Sequence, residues 1–269
     1  MFRVLLATAK RNFIVSRRAY PWSFFVGRVI TGAYTVLISL FLYAYLFQGQ
    51  TNSLFSTYTD HADYLAFAIL GAAFFTFAIA SIMNVSRTLM VEVWEGTLET
   101  LLLSPSSRLG YMLGSLLEQI LRATLELAVI LLIGWVAGAR FPYLHPVQIL
   151  MVWVISIFAL FSMSITLAAL MLSTRDTYIS QNTLFILMSL LCGVTFPIQY
   201  LPAWVQPLSH AVPFTAVLDL FRKVILQGHT IGEHPGLLIE IFALSAVYLT
   251  VGFLWLHRSE RRFLQKIFG

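Results

Sequence analysis

Charge is what this sequence lacks most. Asp, Glu, Lys and Arg make up 11% of its residues, against about 25% in a soluble domain. Apolar residues reach 59% and the mean hydropathy is +0.82. A chain of 269 residues so poor in charge cannot cover a water-facing surface, so the bilayer must be its solvent. Cysteine is almost missing: Cys192 stands alone in an apolar run, which excludes an internal disulfide and leaves the redox compartment open. Gly/Ser linkers, low-complexity segments and strong internal repeats are absent, and no polar stretch is long enough to hold a soluble core. The chain therefore reads as one membrane domain over 1–269. Lysine is scarce as well. Lys10, Lys223 and Lys266 are followed by Arg, Val and Ile, and none fits the Gly-x-x-x-x-Gly-Lys-Ser/Thr loop whose amides and lysine cradle phosphate. If ATP drives this protein, another chain binds it.

The residues present are organised as uncharged runs. One span needs roughly 20 apolar residues. No charge lies between Arg28 and Asp60, predicting a first span over 22–47. Tyr64–Ser86 is uncharged and predicts a second, 64–86. Leu109–Ala137 predicts a third, 109–137, although it carries Glu118, Arg122 and Glu126. Between Arg140 and Arg175 only His145 interrupts, predicting a fourth over 146–172. Asp176 and Asp219 then enclose 42 residues without Asp, Glu, Lys or Arg. Pro197, Pro202, Pro207 and Pro213 break the second half of that run, since proline interrupts a regular helix. A fifth span over 178–196 is expected, followed by short broken elements over 197–227 that dip into the outer leaflet without crossing. A sixth span is expected over 237–256. The first twenty residues, 1–20, carry Arg3, Lys10, Arg11, Arg17 and Arg18 and read as a retained helix rather than a secretory signal.

Orientation follows from Lys and Arg near the span ends. With the N-terminus inside, thirteen of the seventeen lie on inner segments and only Arg140, Arg222 and Lys223 lie outside, with Arg122 within a span. This predicts six crossings with both termini cytoplasmic, in a bacterial inner or plasma membrane. The net charge of +5 does not point to nucleic acid, because the basic residues sit beside apolar segments and form no basic face.

The most informative stretch lies between the second and third spans. Val91, Trp94, Leu98 and Leu101 fall at i, i+3, i+7 and i+10, predicting one apolar helical face over 88–104. Glu92, Glu95 and Glu99 form an adjoining acidic stripe, and Ser104-Pro105 ends the helix. Such a helix either floats at the interface with a solvated acidic face or docks a cytoplasmic partner. Lys and Arg, not Glu, are the usual residues on a helix that only holds an anionic membrane.

Glu95-Gly96-Thr97-Leu98-Glu99, followed by Leu101–Pro105 and Arg108, resembles the cytoplasmic loop of the type-2 ABC exporter permeases. A second stretch is similar to the region after that family's fifth span: Gly193-Val-Thr-Phe-Pro197, Leu201-Pro202-Ala-Trp204, Gln206-Pro207-Leu208, Pro213 and Asp219-Leu-Phe-Arg222. The resemblance implies a half-transporter that pairs as a dimer, as a homodimer by expectation, with two cytoplasmic ABC ATPase subunits that bind the ATP and Mg. It implies an all-α membrane protein of six transmembrane helices. It further implies an N-terminal amphipathic helix on the inner surface, a coupling helix between spans 2 and 3, and a re-entrant cap between spans 5 and 6. By the same resemblance, Glu92, Glu95, Gly96, Thr97 and Glu99 face the ATPase, while Trp94 and Leu98 hold the helix against the membrane domain. The Arg-Asp-Leu-Lys-like N-terminal pattern of long-polysaccharide exporters is missing, which tilts the expected cargo towards lipid-like or drug-like molecules.

Other residues carry weaker signals. Glu118, Arg122 and Glu126 are four apart and stack on one helix face. They form either a polar patch on the transport route or a structural ion-pair ladder; a charge at the bilayer centre costs about 2.5–3.5 kcal/mol. Gly110-x-x-x-Gly114 and Gly134-x-x-x-Gly138 are expected packing sites. His229 and His234 flank Gly232-Glu233, but a zinc site takes three or four ligands, so no metal is expected and the segment reads as a solvated loop. Tyr178, Tyr200, Trp204, Phe214 and Phe221 suggest an interfacial aromatic belt or a cargo-contact surface. An intramembrane enzyme would need a catalytic set such as His-Glu-x-x-His or Gly-x-Ser-x-Gly, and neither is present. An ion-coupled carrier usually has broken helices in both halves, whereas here only the second half is broken.

Overall fold

The structure, a computed structural model, describes residues 1–19, 23–41, 44–45, 53–59, 63–104 and 107–268. The ends of the expected first span, Trp22 and Phe47, lie outside the described residues, as do Asp60 and Pro105. Among the described residues every regular element is helical: α1 (Phe2–Ala19), α2 (Ser23–Phe41), α3 (Ser53–Tyr58), α4 (Tyr64–Trp94), α5 (Leu98–Leu103), α6 (Arg108–Val136), α7 (Pro146–Thr174) and α8 (Thr177–Leu191). A broken region follows, comprising a 3₁₀ turn Ile198–Tyr200, α9 (Gln206–His210), α10 (Pro213–Arg222), a π turn Lys223–Gln227 and a 3₁₀ turn Ile231–Glu233. It leads into α11 (Pro235–Phe268).

Helix α4 is the centre of the bundle, packed against α6, α7, α2, α10 and α8. Its sequence explains this. Ala66, Ala68, Ala73 and Ala78 are buried beside Phe74 and Phe77, and small residues let helix backbones approach closely in a membrane. Helix α7 pairs chiefly with α11, and α1 lies along α6. Caps fix the helix starts. Asp63, Ser107 and Asp176 accept hydrogen bonds from the amides of Leu65, Gly110 and Ile179, and Pro146, Pro207 and Pro213 stand in first turns, where proline costs no hydrogen bond.

Helices α4, α7 and the Pro235–Arg262 portion of α11 are long and apolar enough to cross a membrane. Helix α6 has 29 residues, about 44 Å of rise, with Glu118, Arg122 and Glu126 along it. Some bounds differ from expectation. The helix of the expected second span, α4, does not stop near Ser86 but runs to Trp94, and the last continues past Leu256 into the basic tail. The expected fifth span, 178–196, is shortened: α8 ends at Leu191 and the chain turns at Gly193, whose φ is +66°. Large apolar side chains point outward over much of the bundle, among them Leu121, Leu125 and Trp135 of α6, Ile186 and Leu190 of α8 and Phe242 and Leu254 of α11. In water such a surface would aggregate.

Candidate functional site

The distinctive site lies at the end of the bundle where α1, α4, α5 and α6 meet. Helix α4 closes with a Schellman arrangement, in which the Thr97 amide donates to the Glu92 carbonyl at 2.9 Å and the Gly96 amide to the Val93 carbonyl at 3.2 Å. The closure needs a left-handed residue, and Gly96 supplies it with φ +70°. The expected single helix over 88–104 is therefore two pieces, the end of α4 and the six-residue α5. The apolar spacing Val91, Trp94, Leu98, Leu101 does not form one face, because the turn intervenes.

The turn is clamped by Glu92. One carboxylate oxygen accepts from Arg11 Nη1 at 2.9 Å and from the Tyr111 hydroxyl, and the other accepts from Thr97 Oγ1. A second amine of Arg11 reaches Glu95 at 3.8 Å. Glu92 thus joins α1, the turn and α6, and it is only 4% exposed. This corrects the expectation that it faces outward. Val85, Leu89 and Glu92 are buried at i, i+4 and i+7, so the carboxylate continues the core stripe of α4. Trp94 is 56% exposed, so it does not hold the segment down; Leu98, 1% exposed, does. Glu95, Gly96 and Thr97 are exposed and Glu99 is half-buried. Burial pulls the Arg11 guanidinium down, but the hydrogen bond to Glu92 and the charge of that carboxylate outweigh it, and its pKa lies above the ordinary value.

Helix α1 is seated by glycine. A Cβ on Gly110 would stand 2.8 Å from the Met1 carbonyl oxygen, and one on Gly114 would stand 2.6 Å from that of Leu5. These glycines act as the packing site read from Gly110-x-x-x-Gly114. Polar contacts line the same seam: Asn12 donates to Ser115 at 2.9 Å and Ser16 to Glu118 at 3.2 Å. Glu118 also accepts from Arg122 Nε at 2.7 Å, and Glu126 is buried one turn further on. Of the Glu118, Arg122, Glu126 ladder, Glu118 and Arg122 face a cavity of about 480 Å³ beside Arg11, Asn84, Arg87 and Glu95. The outward side of α1 presents Phe2, Leu6 and Phe13, which recur on one helical face.

At the opposite end, proline shapes the broken region. Pro197 precedes the 3₁₀ turn, the Pro202 carbonyl accepts from Val205 at 2.8 Å, and Pro207 and Pro213 open α9 and α10. Trp204 is 76% exposed. The five aromatics do not form one belt. Phe214 and Phe221 are core, stacked on Phe74 at 5.7 and 4.5 Å, and Tyr178 lies at the other end of α8. Arg222, counted from sequence as an outer charge, is buried. It donates to the carbonyls of Gly193 at 2.7 Å, Val194 at 2.6 Å and Phe67 at 3.3 Å, with its guanidinium carbon 3.4 Å from the centre of the Phe67 ring. The unwound carbonyls after α8 are satisfied by this side chain. Nearby, His229 Nδ1 and His234 Nε2 lie 2.9 Å apart. The His234 pKa is pulled below its usual value by burial, then by Lys223 and His229, against the pull of Asp219 and Glu233.

An all-helical bundle with an apolar exterior, a polar seam at one end and a proline-broken hairpin at the other accords with a family comparison: the sequence profile described as ABC-2 type transporter matches residues 3–226. The chain belongs to this family. No curated protein matches it. As an ABC-2 membrane domain, the protein is a multi-pass transport permease without an ATPase site of its own, and permeases of this family generally work with an ABC ATPase partner. Sequence reasoning singled out Glu95–Thr97 but set it inside one continuous helix, and it missed Arg11 and Tyr111 as the partners of Glu92 and Arg222 as the tie of the broken hairpin. The small-residue pair flanking Tyr111 was the available signal for the first; for the second, an arginine directly after the apolar run Leu218–Phe221 interrupted only by Asp219 was a weak one.

Proposed function

We propose that this ABC-2 chain is the membrane-spanning subunit of an ATP-driven exporter, with six crossings, both termini cytoplasmic, and ATP and Mg bound on two copies of a separate ABC ATPase. Two permease copies pair as a homodimer in the bacterial inner or plasma membrane and move a lipid-like, drug-like or glycoconjugate cargo outward. The exposed Glu95–Gly96–Thr97 turn, with α5 and Glu99, is the docking element. The Glu118–Arg122–Glu126 side of α6 lines the inner part of the route. The hairpin carrying Pro197, Pro202, Trp204, Pro207 and Pro213 caps it outside.

The observation that carries this reading is the Glu92 clamp, which ties the docking turn at once to α4, α6 and α1. A push on the turn is transmitted to two long helices rather than absorbed by a loose loop. Acidic residues left exposed beside it suit a basic cleft on a partner. The outward Phe2, Leu6 and Phe13, flanked by Lys10 and Arg17, suit α1 to the inner membrane surface.

The test is Glu95→Lys combined with Glu99→Lys. Transport should be lost and recovery of the co-expressed ATPase should fall, with membrane insertion unchanged. Undiminished ATPase recovery would remove the turn from the docking role.

A further inference from the structure

Between the π turn Lys223–Gln227 and α11, the chain gathers three donor groups. His229 Nδ1 and His234 Nε2 are 2.9 Å apart. One ligand atom each from His229, Glu233 and His234 lie within 4.8 Å of one another. Spacing in sequence offered only the two histidines. The 3₁₀ turn Ile231–Glu233 adds the carboxylate by folding it back beside them.

We propose that His229, Glu233 and His234 form a binding site for a divalent transition metal, with Zn²⁺ the best match to the donor set. Two imidazoles and a carboxylate with one open position are a known zinc ligand combination, and imidazole nitrogen favours zinc, copper and nickel over magnesium or calcium. Zinc–nitrogen bonds of about 2.0–2.1 Å in a tetrahedron put two nitrogens about 3.3 Å apart, so the imidazoles need only a small separation to admit the ion.

The frame around the donors is fixed by ordinary contacts. Thr230 Oγ1 donates to Glu233 Oε1 at 2.9 Å, leaving the second oxygen for a metal, and a hydrogen-bonded ligating carboxylate is the usual outer-shell arrangement. The His229 amide donates to the Lys223 carbonyl at 3.1 Å, and the Ile231 amide donates to Gln148 Oε1 of α7 at 3.2 Å. Gly228, with φ +76°, sits against the Tyr143 ring, where a Cβ would be 2.8 Å from the ring carbons. The nearby Lys223 ammonium is held by Asp219 at 3.3 Å. The two histidines are half-buried and Glu233 is exposed, so the open position faces solvent. A bound ion would lock the joint between the broken hairpin and α11.

The full-length chain, carrying no histidine tag, is purified in detergent and dialysed against Zn²⁺; bound metal is counted by mass spectrometry, and Co²⁺ substitution gives visible d–d bands. About one ion per chain is expected. His229→Ala and His234→Ala should each weaken binding by at least about ten-fold, and His257→Ala, at the far end of the bundle, should not. Zinc should also raise the melting temperature of the parent protein and not of the His229→Ala or His234→Ala variants. Absence of stoichiometric binding, or equal affinity in the histidine variants, overturns the site. Full affinity in Glu233→Gln with loss in the histidine variants overturns the three-ligand assignment.

Discussion

At the residue scale the protein depends on two buried charges that neutralise backbone or side-chain polarity rather than face solvent. Arg222 closes the broken hairpin by donating to the carbonyls of Gly193, Val194 and Phe67. A planar guanidinium can reach all three while stacking on Phe67; an ammonium cannot. Arg222→Lys should therefore lower the thermal midpoint of the detergent-solubilised protein, with a loss of about 2 kcal/mol for the weakened charged hydrogen bonds. An unchanged midpoint would mean that the carbonyls find other donors. Gly71 belongs to the same construction, since a Cβ there would lie 2.0 Å from the Val194 carbonyl oxygen. Glu92 does the equivalent work at the other end, and its three partners come from α1, α6 and the turn.

At the element scale the decisive feature is the stop between α4 and α5. A continuous helix would carry the acidic residues along the α4 axis; the Gly96 turn folds α5 back so that Leu98 and Leu102 are buried and Glu95 protrudes. Among the described residues no neighbour lies within 4 Å of a Cβ built on Gly96, so Gly96→Ala tests backbone conformation. The left-handed geometry should cost about 1–2 kcal/mol. Transport and ATPase recovery are expected to fall in Gly96→Ala and to recover substantially in Gly96→Asn, since asparagine tolerates that region. Equal activity in the alanine variant would show that the turn conformation does not matter for coupling.

For the whole molecule, the proposed six-crossing arrangement puts Arg140 and Arg258 on opposite sides of the membrane. Both are exposed, and the native thiol is the single buried Cys192. In a Cys192→Ser background, Arg140→Cys should react with an impermeant maleimide in intact cells, and Arg258→Cys only after permeabilisation. Labelling of both from the same side would refute that arrangement. The apolar exterior is distributed over α2, α6, α7, α8 and α11, which leaves room for both lipid and the second permease copy proposed above.

What the sequence by itself determined is the solvent and the punctuation. Scarce charge dictated a bilayer, uncharged runs marked long helices near 64–86, 146–172 and 237–256, and prolines marked the broken hairpin, because burial in lipid and a missing amide act locally along the chain. The Glu95–Gly96–Thr97 stretch stood out by its residues, but as part of one helix over 88–104: apolar spacing cannot reveal that one glycine adopts a positive φ. Only the tertiary structure decided that Glu92 turns inward to Arg11, 81 positions away, that Arg222 serves carbonyls of two other segments, and that Glu233 joins His229 and His234. Each depends on where a side chain ends up in three dimensions, and a charge has no sequence periodicity that says whether its partner is water, a carbonyl or another helix.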